Sequence, residues 1–320
     1  MTAPGVDRHL VLVHARGWQA AEDWRDIGSR VRALDRRIGL FLVGAEGVAP
    51  DLAALAARQP TLVVSPAPVH TLGLSRGRTL CGRVVAKIEQ LHALHTAGVP
   101  VPRSSLLHPG VTFDPAVWGD VVVLKPADIT SSSSGAGISL MRTERVRYLA
   151  PEAYPEGHPA RRGPMIVQRF VDTGPRVTSY RVLMFLGEPL YCQRMEATAE
   201  RIGLDADDAA LERAPVAMQS HDDTRRFVYE ADVVDIARRA ARAFPDIPLL
   251  GCDVLRDVRT GQLYVIEVNP GGNTWHFSSQ FLAEERARNG EAFERERREQ
   301  LDAFGTAALA LVTATRALAV

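Results

Sequence analysis

Lysine is nearly absent from this chain: of 38 basic residues, only Lys87 and Lys125 are not arginine. A lysine kept against such a bias is a functional candidate. Arginine is a planar, bidentate fork, whereas lysine's compact ammonium on a flexible stem can reach a phosphate in a crowded nucleotide site. Cysteine is scarce as well, and Cys81, Cys192 and Cys252 are widely spaced with no CxxC pair, which reads as buried thiols in a reducing compartment. Charge of one sign is missing, because 38 acidic residues balance the 38 basic ones and remove the broad positive field of a nucleic-acid binder. There is neither a basic, apolar signal segment nor a run of about 18 apolar residues. No nucleic-acid or membrane partner and a cytoplasmic location are therefore expected. The first strand-like run, LVLV at 10–13, is followed by HARGW and not GxGxxG, which argues against a dinucleotide turn there.

What is present begins with a βαβαβ rhythm. Apolar runs at 10–13, 39–44 and 61–65 alternate with helical tracts at 20–35 and 50–58, which predicts a parallel sheet in an amino-terminal α/β domain, 1–82, that presents substrate. A helix is expected from about Arg78 to His95, with Val84, Val85, Ile88, Leu91 and Leu94 on one face and Lys87 flanking it. A second region, 83–164, ends in the proline-interrupted stretch 150–164, the expected hinge between lobes. The third, 165–320, starts with the strand MIVQRFV and continues with two strands in SYRVLMFLGEPLYCQRM that turn at 187–189. A polar loop over 199–225, an amphipathic helix over 230–244 and two helices over 281–318 complete the expectation.

The chemistry concentrates in two segments. Lys125 ends the apolar run VVVL and precedes PADITSSSSGAGISL, a cation facing a small-residue loop, which suits a polyphosphate. The segment LLGCDVLRDVRTGQLYVIEVNPGGN reads as a hairpin turning near Thr260, which sets Asp253 across from Glu267. Asn269, two residues on, shares their face by the period-2 rule. Opposed carboxylates in a half-buried sheet repel unless a cation sits between them, and one or two magnesium ions, with Mn2+ an alternative, match such oxygen donors.

Together these segments resemble the ATP-grasp superfamily over about 85–315, with closest similarity to the branch of the ribosomal-protein glutamate ligases and glutathione synthetase. The resemblance implies a mixed α/β and α+β fold in which a central lid lobe (83–164) and a carboxy-terminal lobe (165–320) hold ATP between them. It makes Lys87 and Lys125 the nucleotide lysines, and Asp253, Glu267 and Asn269 the metal ligands. Ser133, Ser134, Gly135 and Gly137 become the phosphate lid. Gln168, Arg169 and Phe170 become the adenine hinge, and Asp172 a ribose contact. Arg181 and Arg194 would stabilise the transferring phosphoryl group and the tetrahedral intermediate. The implied partners are a small-molecule carboxylate and an amine, and a homodimer is common in similar proteins. The lid carries four serines where relatives show more glycine, and Asn273, Thr274, Trp275 and His276 follow the metal strand as acceptor-site candidates.

Other motifs weigh less. Gly73-Leu74-Ser75-Arg76-Gly77 spells a hydrolase elbow but lacks a preceding strand, and His92 and His95 find no third ligand. An ADP-forming carboxylate–amine ligase is the expectation. A kinase acting on a small-molecule hydroxyl, with Arg176, Arg181 and Arg201 as its basic pocket, is the alternative, and a nucleotide-binding module without turnover is the third reading.

Overall fold

The computed structural model describes residues 5–45, 50–69, 77–127, 137–214, 223–280 and 282–320. The expected βαβαβ unit is present. Strands β1 (Arg8–His14), β2 (Ile38–Gly44) and β3 (Thr61–Ser65) are parallel and are linked through α1 (Ala21–Leu34) and α2 (Pro50–Ala56). Leu10, Val11, Leu12 and Val13 are all at most 1 % exposed, as expected when helices or other elements cover both sheet faces. A fourth parallel strand, β4 (Arg78–Cys81), pairs with β3 and gives the order β2-β1-β3-β4.

That strand corrects the helix expected over 78–95. Residues 82–86 belong to neither helix nor strand, and Gly82 is held so closely against the end of β3 that a Cβ there would lie 2.0 Å from the Pro66 carbonyl oxygen. The helix α3 (Lys87–Thr96) therefore begins at Lys87, and Val84 is 66 % exposed instead of lying on a buried stripe.

The second sheet is antiparallel. Its strands are β5 (Ser104–Leu106), β6 (Val121–Pro126), β7 (Ser139–Arg142) and β8 (Met165–Arg169), in the order β5-β8-β6-β7, with the short helix α4 (Pro115–Trp118) leading into β6. The stretch 150–164 forms two single 3-10 turns that pack Tyr154 and Ala160 against Val122, Leu124 and Val167. It covers the outer face of this sheet.

The third sheet comprises β9 (Thr178–Phe185), β10 (Glu188–Ala197), β11 (Asp223–Phe227), β12 (Leu249–Arg256) and β13 (Leu263–Asn269), antiparallel in the order β11-β10-β9-β12-β13. The β9–β10 turn is Leu186-Gly187, with φ of 50° and 88°, one residue earlier than expected because Glu188 already pairs with Phe185. The polar tract 199–225 contains a helix, α5 (Asp208–Arg213), and the start of β11, so it is not a plain loop. Helix α6 (Ala231–Arg242) fills one face of the third sheet with Val233, Val234, Ile236 and Ala237 against Tyr180, Val182, Cys192 and Val254.

The two carboxy-terminal helices are α7 (Leu282–Glu299), kinked at Gly290, and α8 (Ala303–Leu318). Ala307, Ala308 and Leu311 of α8 join Leu10, Leu12, Leu62 and Trp24 of the parallel domain and Leu183, Phe185 and Tyr191 of the third sheet in a single core. By composition, one 18-residue window within Leu282–Leu318, mean hydropathy 1.2, passes as a membrane span. In the fold α8 is the wedge joining two sheets.

Candidate functional site

The hairpin β12–β13 sets the site. Asp253 pairs directly with Glu267 and Gly251 with Asn269, as the sequence predicts. The pairing is reached through a compensation, since Arg256 faces Leu263 and the ladder slips by one residue between Asp253 and Val254, leaving Ile266 bulged. The bulge turns the Ile266 carbonyl out of the ladder to accept a hydrogen bond from Lys125 Nζ at 3.3 Å.

β13 is a sheet edge whose outward groups must be satisfied. The elements that satisfy them are those carrying the two lysines. Val265 N–H donates to the Pro100 carbonyl at 2.9 Å, and Val268 N–H donates to Gln90 Oε1 on α3 at 3.1 Å. The Lys87 N–H, in the first turn of α3, donates to the Ala127 carbonyl just beyond β6 at 3.1 Å. Lys87 Nζ then lies 3.7 Å from Glu267 Oε2, and Lys125 Nζ also donates to Gln168 Oε1 at 3.0 Å. Both lysines are at most 5 % exposed. Burial pushes the Lys125 ammonium down to about 8, with Lys87 acting in the same direction and Glu267 opposing.

A single transverse row crosses all five strands of the third sheet: Glu267, Asp253, Arg181, Gln193 and Phe227. Arg181 grips Asp253 with both ends of its fork, Nε to Oδ1 at 2.6 Å and Nη2 to Oδ2 at 2.8 Å, and Asn269 Nδ2 donates to Asp253 Oδ2 at 3.0 Å. Arg194 does not join this row. It pairs with Tyr180, on the opposite face, and its Nη2 donates to Glu196 Oε2 at 2.8 Å. The residue on the Arg181 side is Gln193, 4 % exposed, which the sequence reading missed because a slip in the β9–β10 ladder between Pro189 and Tyr191 is not legible locally.

On the second sheet Val121, Val123 and Leu140 form an apolar floor with Phe170, Ile138, Ile202 and Leu204. Lys125 stands at its end, since Val123 and Lys125 share a face. Gln168, 4 % exposed, is held between Lys125 and Ser104 Oγ, so its side chain supports the lysine. Arg169 is exposed. Asp172 Oδ1 accepts from Arg201 Nη2 at 2.6 Å, and Arg201 also lies over the Phe170 ring. Gly137, at φ 75°, packs on Pro159, while Ser133, Ser134 and Gly135 lie outside the described residues.

The segment after Asn269 crosses to the carboxyl ends of the parallel strands, where open α/β sheets receive ligands. Arg83 N–H donates to the Pro270 carbonyl, Gln19 Nε2 to the Gly272 carbonyl, and Gln280 N–H to the Gly17 carbonyl. Trp275 is fully buried, stacks on Trp24 at 4.9 Å and donates from Nε1 to Asp23 Oδ2 at 2.9 Å, so it is a core residue and not a substrate contact. Thr274 is buried on Gly251, whereas Asn273 is exposed and His276 half-buried.

No family model and no curated protein matches the chain. Among solved structures it is similar to an ATP-grasp ligase, PsnB, complexed with a minimal precursor, Mg and ADP, at 15 % identity and a TM-score of 0.48, covering 96 % of this chain and 97 % of that one. It is also similar to the D-alanine–D-alanine ligase of Bacillus anthracis complexed with ATP, at 11 % identity and a TM-score of 0.46, covering 97 % and 96 %. A third is the D-cycloserine synthetase DcsG, at 15 % identity and a TM-score of 0.45, covering 90 % and 99 %.

Proposed function

We propose that the chain is an ATP-grasp enzyme, an ADP-forming ligase that joins a carboxylate to an amine through an acyl phosphate. The observation that carries this reading is the convergence on the β13 edge of both lysines of a lysine-poor chain with Asp253, Glu267, Asn269 and Arg181. The donors are all oxygen and lie on one sheet face across β12 and β13, which suits a hard divalent ion such as Mg2+. Among the described residues no three His, Cys, Asp or Glu side chains converge, so ligand phosphates and water would complete its octahedron. Asp253, Glu267 and Asn269 would hold it, and bound there it would neutralise phosphate charge.

In this reading Lys125 and Lys87 fix the polyphosphate and the apolar floor around Val123 and Leu140 takes the base. The acid's carboxylate attacks the γ-phosphorus and ADP leaves. The amine then displaces phosphate from the acyl carbon, with Arg181 steadying the negative oxygen. The kinase alternative needs a basic polyol-phosphate pocket. Of the arginines that would line it, Arg201 is engaged by Asp172 and the Gly174 carbonyl, which takes one charge from that pocket. The test is phosphate release from Mg–ATP against amino acids and small peptides, singly and in pairs, with mass spectrometry of the products. A condensed product that needs both an acid and an amine supports the ligase, and a phosphorylated single acceptor without free phosphate overturns it.

A further inference from the structure

The transverse row through Arg181 has one polar member that the protein itself leaves unpaired. Glu267 meets Lys87, Asp253 and Arg181 hold each other, and Phe227 ends the row as an apolar ring. Gln193, directly across from Arg181 and 4 % exposed, has no partner for its Nε2 among the described residues. A buried amide without a partner costs the fold free energy that an apolar side chain of the same length would not. The charges beyond it are committed elsewhere. Glu285 of α7 takes Arg297 Nη2 on Oε2 at 2.8 Å and Arg225 of β11 on Oε1 at 3.3 Å, and its Oε1 also lies 3.3 Å from His276 Nδ1. Arg225 Nε donates to Asp223 as well, at 3.1 Å, and Arg297 lies over the buried Tyr191 ring. Arg181 differs from these. Its fork on Asp253 uses Nε and Nη2, so Nη1 takes no part in it, and the side chain keeps 27 % of its surface. Cross-strand neighbours on one face lie close enough for their side chains to share a ligand.

Resting on the ligase reading, we propose that Gln193 binds the acid substrate, its Nε2 donating to the carboxylate that the enzyme activates, beside Arg181. In the first step one oxygen of that carboxylate attacks the γ-phosphorus, and the phosphorus–oxygen bond to ADP breaks with its electrons on ADP. The other oxygen stays on Gln193 and becomes the carbonyl oxygen of the acyl phosphate. No proton moves in this step. A neutral amide suits the task better than a further cation, because it orients the carboxylate without drawing off the charge that makes it a nucleophile. In the second step the same N–H, with Arg181, faces the oxygen that turns negative as the amine adds to the acyl carbon. The unpaired amide is thus a cost to the fold that the substrate relieves.

ATP-dependent hydroxamate formation, with hydroxylamine as the amine and the standard amino acids and dipeptides as acids, varies the acid alone. Gln193→Met keeps the length of the side chain and removes the amide. In it the KM of the acid is expected to rise roughly 10- to 100-fold, while the KM of Mg–ATP stays within about twofold and Tm holds or rises. Gln193→Glu sets a carboxylate against that of the substrate and is expected to lose more of the acid's affinity than Gln193→Met. An unchanged acid KM in Gln193→Met overturns the proposal and leaves the ligase standing. So does a KM for Mg–ATP that rises in step while Tm drops, since Gln193 is then a packing residue. A wild type that makes no hydroxamate with any acid overturns the ligase reading and the proposal with it. In the wild type the side-chain amide NMR signals of Gln193, assigned by their absence from Gln193→Met, should move when the acid is added, and signals indifferent to it contradict the proposal.

Discussion

Replacing Lys125 with methionine should separate stability from function. The ammonium is 5 % exposed, and its fall from 10.5 to about 8 means that its charge costs the fold roughly 3 kcal/mol at neutral pH. Methionine keeps the volume and removes that cost. Against the gain stand two lost hydrogen bonds, to Gln168 Oε1 and to the Ile266 carbonyl, each worth about 1–3 kcal/mol with a charged donor. The net effect is therefore between about 1 kcal/mol of stabilisation and about 3 kcal/mol of loss, a Tm change from a rise of about 2 °C to a fall of about 6 °C. Binding of Mg–ATP should weaken by about 2–4 kcal/mol, or roughly 30- to 1000-fold, since a buried charge-assisted contact to phosphate is gone. Differential scanning fluorimetry with and without Mg–AMPPNP reads both quantities. A nucleotide-induced shift as large in Lys125→Met as in the wild type would refute the reasoning, because it would mean that the Lys125 ammonium does not hold the phosphates.

Other perturbations discriminate among neighbours. Arg181→Ala should lower Tm by several degrees, since it strands the part-buried Asp253 carboxylate, and Mg2+ should recover part of the loss; Arg194→Ala, on the other face, should leave turnover within about twofold and cost under about 1 kcal/mol, both read by thermal melts and steady-state rates. Gly82→Ala should destabilise by several kcal/mol, because its Cβ would meet the Pro66 and Pro270 carbonyl oxygens at 2.0 and 2.9 Å, and denaturant titration measures it. Burial pushes the Glu285 carboxyl up, but His276 and Arg297 outweigh it and hold it at about 2. Its contribution is full above pH 4.5 and is lost as pH falls toward 2, so the acid limb of a stability–pH curve should flatten in Glu285→Gln.

Much of the site was legible because it is local. Asp253, Glu267 and Asn269 lie on one hairpin, and the period-2 rule orders them; the bulge at Ile266 merely offset a turn centred half a residue earlier than Thr260. The rarity of lysine singled out Lys87 and Lys125, and both reach the edge of β13. What stayed hidden depends on distant partners. β4 exists because β3 offers a parallel edge, so Arg78–Cys81 could not be told from the start of a helix. Arg194 and Gln193 exchange faces through an irregularity near Leu190, and no composition signal marks it. The Glu285 cluster joins β11, α7 and the loop after Asn269, and its pairing of Arg225 with Glu285 spans 60 residues of chain.

The most direct test of the central claim is calorimetric titration of Mg–AMPPNP into the wild type and into the Asp253→Asn, Glu267→Gln double variant. The β13-edge site predicts Mg2+-dependent binding in the wild type that is lost in a double variant of unchanged fold. Equal affinity in the two proteins, or wild-type binding indifferent to Mg2+, would contradict it.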